Sequence, residues 1–387
     1  MLVVAVLWTA FFLVNFNIAM MIPLLPFIQE ALGLSMRQAG WVLAAFPVVA
    51  LVSNLALGPW IDRYGRKRFL VTGAAACAAI FLATTAARGV GMLVLCRAAT
   101  GVFMPMLGAS VFAAIADYVP AEARARAAGQ VTTAAPIAFL LSMSAGMLLG
   151  GLLSWQVPLA VAAALAAGLS FGAARLPAVP AEALASARPT LQTYRSRLLS
   201  LSLNQDTRLL FLGHFCWSAA VFAFLGLYPT WVVQHGLAAH GPGSIGTMLF
   251  LGEVGGLFGA LLASRSARWG YRPLWLCAAA AFATGLVVLA VPFGSGVPLL
   301  QAAAYAAFAF GRDLMLALIL GSAMQLVPAA QRGSLNAILN AIYQTGATLG
   351  ALASAWLYGA DPGFLANALA AAFLFLVSGL ALGHIGR

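Results

Sequence analysis

Long apolar segments recur along the whole sequence, and they limit what this chain can fold into more than any other feature does. A helix that crosses a bilayer needs about 20 apolar residues, and twelve segments meet that need. They are rich in Leu and Ala, with no alternation of apolar and polar residues, which favours helices over a membrane β-barrel. We number them spans 1 to 12, with these approximate limits: 4–28, 37–58, 69–87, 91–117, 127–152, 156–174, 209–234, 243–264, 273–292, 297–326, 333–358 and 363–384.

The composition excludes a soluble protein. Of 387 residues, 63% are hydrophobic and only 7% are charged, whereas a soluble chain must cover much of its surface with polar groups. The sequence has no room for a separate catalytic domain, no metal-ligand spacing among its His and Cys residues, and no phosphate-binding Gly-rich loop. We therefore expect neither an enzyme nor an ATP-driven pump, and no bound metal or cofactor.

The net charge of +11 comes from short loops between spans. This placement indicates membrane topology and contact with anionic lipid, with no role for nucleic acid. If the spans alternate in direction, only Arg37 and Arg88 lie on the opposite side from the other loop basic residues, so both termini are predicted to be cytoplasmic. Those other residues lie within 63–68, 124–126, 175–208 and 265–272, and at 332 and 387.

One long polar stretch, 175–207, divides the chain. We interpret it as a cytoplasmic linker between an N-terminal six-helix bundle, 1–174, and a C-terminal one, 208–387. The two parts look related, because the pair Val-Pro at 119–120 followed by Arg124 recurs at 327–328 followed by Arg332. Parallel repeats of this kind are typical of transporters, whose substrate site lies at the interface of the repeats.

The segment 58–68, after span 2, reads GPWIDRYGRKR. Gly58 and Gly65 would permit a tight turn between two helices, and Asp62 could cap a helix N-terminus. A simple stop-transfer cluster would explain the basic residues but not the Asp or the glycines. The segment resembles the loop signature of the major facilitator superfamily, Gly-x-x-x-Asp-Arg/Lys-x-Gly-Arg/Lys-Arg/Lys, at every defined position.

This resemblance, which extends over essentially the whole chain, implies two pseudo-symmetric six-helix bundles that rock about a central cavity. It implies a monomer in the bacterial inner membrane that carries a small molecule, needs no cofactor and uses a proton gradient as its energy source. The resemblance also implies a cytoplasmic gate made by Gly58, Asp62, Arg63, Gly65, Arg66 and Asp117. A weaker copy of the motif follows span 8 at 267–272, where Ala267 stands in place of the Asp, so the C-terminal half of the gate is expected to be degenerate.

Span 4 carries Arg97, and an Arg inside hydrocarbon is costly. The segment 97–101, RAATG, resembles the Arg-x-x-Gln-Gly motif that is tied to proton coupling in exporters of the family, with Thr100 in place of Gln. The alternative is an Arg near the outer end of the span that reaches the lipid headgroups.

Span 5 ends with small residues at a spacing that lets helices pack closely, namely Gly146, Gly150 and Gly151. The segment resembles the antiporter motif Gly-Pro-x-x-Gly-Gly, with Met147 in place of Pro. Generic helix packing would explain the glycines equally well.

Three ionisable residues lie at mid-membrane depth in the C-terminal half: Glu253 in span 8, and Arg312 and Asp313 in span 10. A carboxylate there tends to hold a proton or to find a cation. The three residues could form a protonation and substrate site, or an ion pair that only locks two helices together.

Other polar and aromatic residues are candidates for the cavity wall, although interface anchoring or packing would explain most of the aromatic ones. Asn15 and Asn17 lie on nearly opposite faces of span 1, so at most one should face the cavity. His214 in span 7 is either a packed histidine or a proton relay. The candidates are Asn15, Asn17, Tyr228, Tyr305, Asn340 and Gln344.

The function that these residues indicate is secondary active transport, more specifically proton-coupled efflux of a small organic or drug-like solute by alternating access. Import of a metabolite by a symporter or uniporter is the alternative. A receptor or assembly factor without transport activity agrees less well with a moving gate.

Overall fold

The computed structural model describes residues 2–177, 204–237, 240–266, 273–323, 325–326 and 332–385. Three predicted features lie outside the described residues: most of the linker, the second copy of the loop motif at 267–272 and the repeated Val-Pro pair at 327–328. Within them the chain is helical and contains no strand.

Ten of the predicted spans are single long helices. The apolar sequences explain their formation, because a helix satisfies all of its backbone hydrogen bonds internally where no water is present. These ten helices form spans 1–4, 6 and 8–12. In chain order their bounds are Leu2–Leu32, Met36–Tyr64, Arg66–Thr85, Val90–Tyr118, Gln156–Ala174, Gly241–Ser266, Pro273–Ala290, Pro298–Ala323, Arg332–Ala360 and Leu365–Gly383.

Spans 5 and 7 are interrupted. Span 5 consists of Arg124–Thr132 and Ala134–Leu152. Span 7 begins at Gln205–Leu225, where the side chain of Asn204 caps the first turn, and continues after a break as Tyr228–Trp231 and a π-helical turn. The break lies just before Pro229, which has no backbone N–H for a continuous helix.

Eleven spans in the described part of the chain are long and apolar enough to cross a membrane. Span 11 falls outside that group although its helix has 29 residues, because Asn336, Asn340 and Gln344 make it more polar. A polar face on a spanning helix is compatible with the membrane when it is turned away from lipid.

The loop motif differs from the prediction. Its first part is helical, because the span 2 helix runs on to Tyr64 and contains both Gly58 and Asp62. Asp62 therefore does not cap a helix N-terminus; Gly65 occupies the N-cap position of span 3. Gly65 alone makes the turn, with a φ of 85° in the left-handed region that only glycine adopts without strain. One such residue is enough to end one helix and start the next.

The helices group into two compact units, Met1–Leu34 with Ala45–Pro189, and Ser35–Ala44 with Thr190–Arg387. In the first unit, span 1 packs against spans 4, 5 and 6, and span 3 against spans 4 and 6. In the second unit, span 7 packs against spans 11 and 12, and span 9 against spans 10 and 12. The pairs 1–5, 1–6, 3–4 and 3–6 thus recur six spans later, and the two bundles are pseudo-symmetric, as the sequence predicts.

Candidate functional site

Spans 8 and 10 approach each other until their backbones touch. A Cβ added at Gly255 would meet the carbonyl of Ala306, and one added at Gly259 would meet the carbonyl of Phe310. Small residues allow helices to pack this closely in a membrane. The sequence analysis overlooked this face, although its spacing of three and four residues is visible in the segment 252–259, GEVGGLFG. The close face consists of Gly252, Gly255, Gly256 and Gly259.

We expect Gly259→Ala to destabilise the protein by about 1–3 kcal/mol, because the added methyl group meets backbone atoms that cannot rotate away. The measurement is thermal unfolding of the purified protein in detergent. Gly243→Ala is the matched control, since it lies in the same helix and a Cβ there would have nothing within 4 Å. Equal melting temperatures for the two variants would contradict the close packing.

The three ionisable residues predicted to lie at mid-membrane depth form one cluster across these helices. Arg312 Nη1 and Nη2 donate to Glu253 Oε1 and Oε2 over 3.1 and 2.7 Å. Arg312 Nε and Nη2 donate to Asp313 Oδ1 and Oδ2 over 2.7 and 2.9 Å. Tyr305 donates its hydroxyl hydrogen to Glu253 Oε1 over 2.6 Å. We call these four residues the acid–arginine cluster.

The charges of this cluster do not cancel. One guanidinium faces two carboxylates, so with both ionised the formal charge is −1, and one bound proton brings it to zero. The side chains of Arg312 and Glu253 are 3% and 1% exposed, whereas that of Asp313 is 17% exposed. Space for the Asp313 carboxylate comes from Gly256, where a Cβ would touch it. Asp313 is therefore the more exposed carboxylate of the cluster.

Tyr228 and Tyr305, predicted as cavity-wall candidates, do not line open space in this structure. Both are fully buried, and their rings stack on each other with centroids 5.3 Å apart. Tyr228 donates to Gln301 Oε1 over 3.0 Å, and Gln301 Nε2 donates to the carbonyl of Val291 over 2.8 Å. The aromatic rings fill the core because their hydroxyl groups find partners there. No sequence pattern pointed to Gln301.

In the first unit, Arg97 is turned into the bundle. It is 4% exposed, so the alternative of a side chain that reaches the headgroups is wrong. Its Nη1 donates to Asn17 Oδ1 over 3.0 Å and to the Asn17 carbonyl over 3.4 Å, and its guanidinium lies 5.0 Å from the ring centre of Phe46. Asn15 is half-buried and donates to Phe11 in its own helix. Thr100 donates to the carbonyl of Arg97 over 2.7 Å.

The remaining candidates are the glycines of span 5 and the polar residues of span 11. A Cβ at Gly146 would come within 2.7 Å of Pro23, and one at Gly150 within 2.9 Å of Leu24, so both glycines lie against span 1. Gly151 is half-buried. In span 11, Asn340 is exposed and Gln344 is 5% exposed.

At the end of the first unit that carries the loop motif, Arg66 Nη1 lies 3.2 and 3.1 Å from the two carboxylate oxygens of Asp117. Their side chains are 13% and 15% exposed. Burial and the charge of Asp117 raise the pKa of the neighbouring Tyr118, and the charge of Arg66 opposes that change. Of the other predicted gate residues, Asp62 and Arg63 have side chains outside the described part of the structure.

Comparisons with known proteins agree with this architecture. The model of the Major Facilitator Superfamily matches residues 7–270. An uncharacterized MFS-type transporter, YceJ of Bacillus subtilis (strain 168), is 26% identical over 382 residues, which cover 96% of this chain and 93% of the relative. Multidrug resistance protein 2 of the same organism is 27% identical over 146 residues, which cover 38% of this chain and only 36% of that protein.

Among solved structures, the nucleoside transporter NupG superimposes with a TM-score of 0.78 at 16% identity and with complete coverage of both chains. Identity this low shows the fold alone. No group of three or more metal-ligating side chains lies within the described residues.

Proposed function

Because the chain belongs to the major facilitator superfamily, we propose that it is a secondary active transporter that exports a small organic, drug-like solute in exchange for protons. Transporters of this family move small molecules through the membrane and need no cofactor. The acid–arginine cluster is the single observation that carries the coupling to protons.

Coupling follows from the charge of the cluster. When Asp313 takes up a proton it no longer competes with Glu253 for Arg312, and the cluster becomes neutral. A neutral cluster costs less to bury in a low-dielectric interior than a charged one. Binding and release of the proton therefore change the free energy of the conformations that expose the cluster to opposite sides of the membrane.

The direction and the drug-like substrate are supported by two weaker observations. One is the similarity to a multidrug resistance protein over 38% of this chain. The other is the resemblance of segment 97–101 to the proton-coupling motif of exporters. Import by a symporter or uniporter is the second candidate, because Met147 replaces the Pro of the antiporter motif in span 5.

The experiment uses inside-out membrane vesicles that contain the protein, with ethidium and a panel of other fluorescent lipophilic compounds as probes. An exporter coupled to protons accumulates a probe only when the vesicle interior is acidic, and nigericin, which dissipates the pH gradient, stops the accumulation. Movement of every transported probe without dependence on the gradient would refute proton coupling. Net probe movement from the vesicle interior to the outside, driven by the same gradient, would favour the symporter.

We further propose that residues 1–174 and 208–387 are the two moving bundles of a monomer in the bacterial inner membrane, joined by the linker 175–207, with both termini in the cytoplasm. The positive loops support this orientation. A C-terminal alkaline phosphatase fusion, which is active only outside the cytoplasm, is then expected to be inactive.

In this orientation the Arg66–Asp117 ion pair belongs to a cytoplasmic gate, whose members are Gly58, Asp62, Arg63, Gly65, Arg66 and Asp117. We expect Asp117→Asn to lower the transport rate several-fold, because the gate loses a charge-assisted contact in one of its states. Initial rates in the vesicle assay measure this effect. Glu122→Gln, which removes an exposed acid nearby, is the control, and equal rates for both variants would exclude Asp117 from the gate.

A further inference from the structure

Among the described residues, two arginines are buried inside the spans, and their surroundings differ in charge. Arg312 faces two carboxylates, Glu253 and Asp313. Arg97 is equally buried, at 4% exposed, but has no carboxylate partner among the described residues, and its contacts are one amide and one ring. A buried charge that lacks a partner is costly, and proteins usually pair it. The described part of the chain therefore offers no negative charge to Arg97, and a bound anion could supply one.

The unused donors of Arg97 and Asn17 have a definite chemical character. Of the guanidinium nitrogens, only Nη1 has a hydrogen-bond partner within the described part of the protein, and the buried Nε has none. The buried Nδ2 of Asn17 is also without a partner there. The Nε–Nη2 edge of an arginine is planar and matches the two oxygens of a carboxylate.

From these contacts we infer that Arg97 and Asn17 form a subsite for a carboxylate group of the transported solute, so that this protein carries organic acids. The inference rests on the proposed transport function. The guanidinium binds the carboxylate through its free edge, and the Asn17 amide donates a further hydrogen bond. Arg97 Nε and Asn17 Nδ2 are buried in this structure. The solute therefore reaches them in a more open conformation of the transport cycle.

The subsite belongs to a solute rather than to a lipid headgroup. Arg97 lies inside the bundle against Asn17 of span 1 and Phe46 of span 2, and its small exposed fraction leaves no surface on which a bilayer phospholipid could settle. Beside the guanidinium lies the apolar ring of Phe46, and the hydroxyl of Thr100 is already bonded to the carbonyl of Arg97. The expected ligand is thus a carboxylate on an apolar body that can pack against such a ring.

The test measures equilibrium binding to the whole protein in phosphatidylcholine nanodiscs, which contain no anionic lipid. Three probes share one apolar ring and differ in charge: cyclohexanecarboxylate, cyclohexanecarboxamide and cyclohexylmethylammonium. The readout is the shift of the thermal unfolding temperature, followed by tryptophan fluorescence, as a function of probe concentration. The carboxylate is expected to bind at least about tenfold more tightly than the other two probes.

Two variants locate the effect. Arg97→Gln removes the charge, and Asn17→Asp gives the guanidinium an internal carboxylate that competes with the probe. Each is expected to weaken carboxylate binding by at least about tenfold, and Asn17→Asp should do so without lowering the unfolding temperature of the unliganded protein. Arg37→Gln, which changes an exposed arginine, is the control and should bind like the unaltered protein. If Arg97→Gln does not fold, Asn17→Asp decides.

Equal binding of the three probes, or unchanged carboxylate binding by Asn17→Asp, would overturn the inference. Binding at equilibrium needs no proton gradient, so this outcome is separable from failure of the proposed function. Transport without carboxylate selectivity removes only the subsite, whereas carboxylate binding without gradient-driven transport removes only the coupled exchange.

Discussion

Replacement of Arg312 by Gln is expected to lower the free energy of unfolding by about 3–5 kcal/mol, because it leaves two carboxylates in the core without their cation. This is the largest effect on stability that we expect from a single change in the chain. It should appear as a fall in the thermal unfolding temperature and in the yield of monodisperse protein after detergent extraction.

Two comparisons separate the loss of the ion pairs from a general loss of positive charge. Arg265→Gln changes an exposed arginine in span 8 and should leave the unfolding temperature nearly unchanged. The double variant Arg312→Gln with Glu253→Gln removes both partners of the most buried pair, and we expect it to be more stable than Arg312→Gln alone. If Arg312→Gln unfolds at the same temperature as the unaltered protein, the cluster does not stabilise the fold.

Asp313→Asn is expected to abolish gradient-driven transport while the protein still folds and reaches the membrane. The amide cannot take up the proton that neutralises the cluster, and the Arg312–Glu253 pair remains in place to hold spans 8 and 10. Glu253→Gln should lose transport as well, with a clear fall in stability, since its carboxylate is 1% exposed and accepts three hydrogen bonds. Transport in inside-out vesicles and thermal unfolding together distinguish these two roles.

Downhill movement of the solute provides the internal control for the Asp313 prediction. A variant that has lost only proton coupling should still equilibrate a preloaded probe across the vesicle membrane, whereas a misfolded one should not. Glu30→Gln removes an exposed acid at the end of span 1 and should retain coupled transport. Full gradient-driven accumulation by Asp313→Asn would exclude that carboxylate from the mechanism.

Eleven of the twelve spans were predictable because apolar length alone marks a spanning segment, and the limits of span 6 agree with the structure to the residue. The interruption of span 7 was not predicted. Its apolar pattern continues through the break, and Pro229 is no clear signal because Pro23, Pro26 and Pro105 lie inside uninterrupted helices.

The members of the acid–arginine cluster could be named from the sequence, but their arrangement could not. Charged residues in apolar segments are conspicuous, whereas their distances depend on how spans 8 and 10 meet. The close contact between the two spans depends on glycines, which have no side chain to hold the helices apart. Tyr305 was proposed for a cavity wall because aromatic residues are ambiguous in sequence, and only the packing shows that its hydroxyl group serves Glu253.

The single-residue turn at Gly65 has a mechanical consequence. Spans 2 and 3 are joined through one residue with two soft torsion angles, so the connection contains almost no slack. Any displacement of the end of span 2 is transmitted directly to the first turn of span 3, where Arg66 contacts Asp117. The two helices are therefore mechanically coupled at this end, so that a rotation of span 2 also shifts the first turn of span 3.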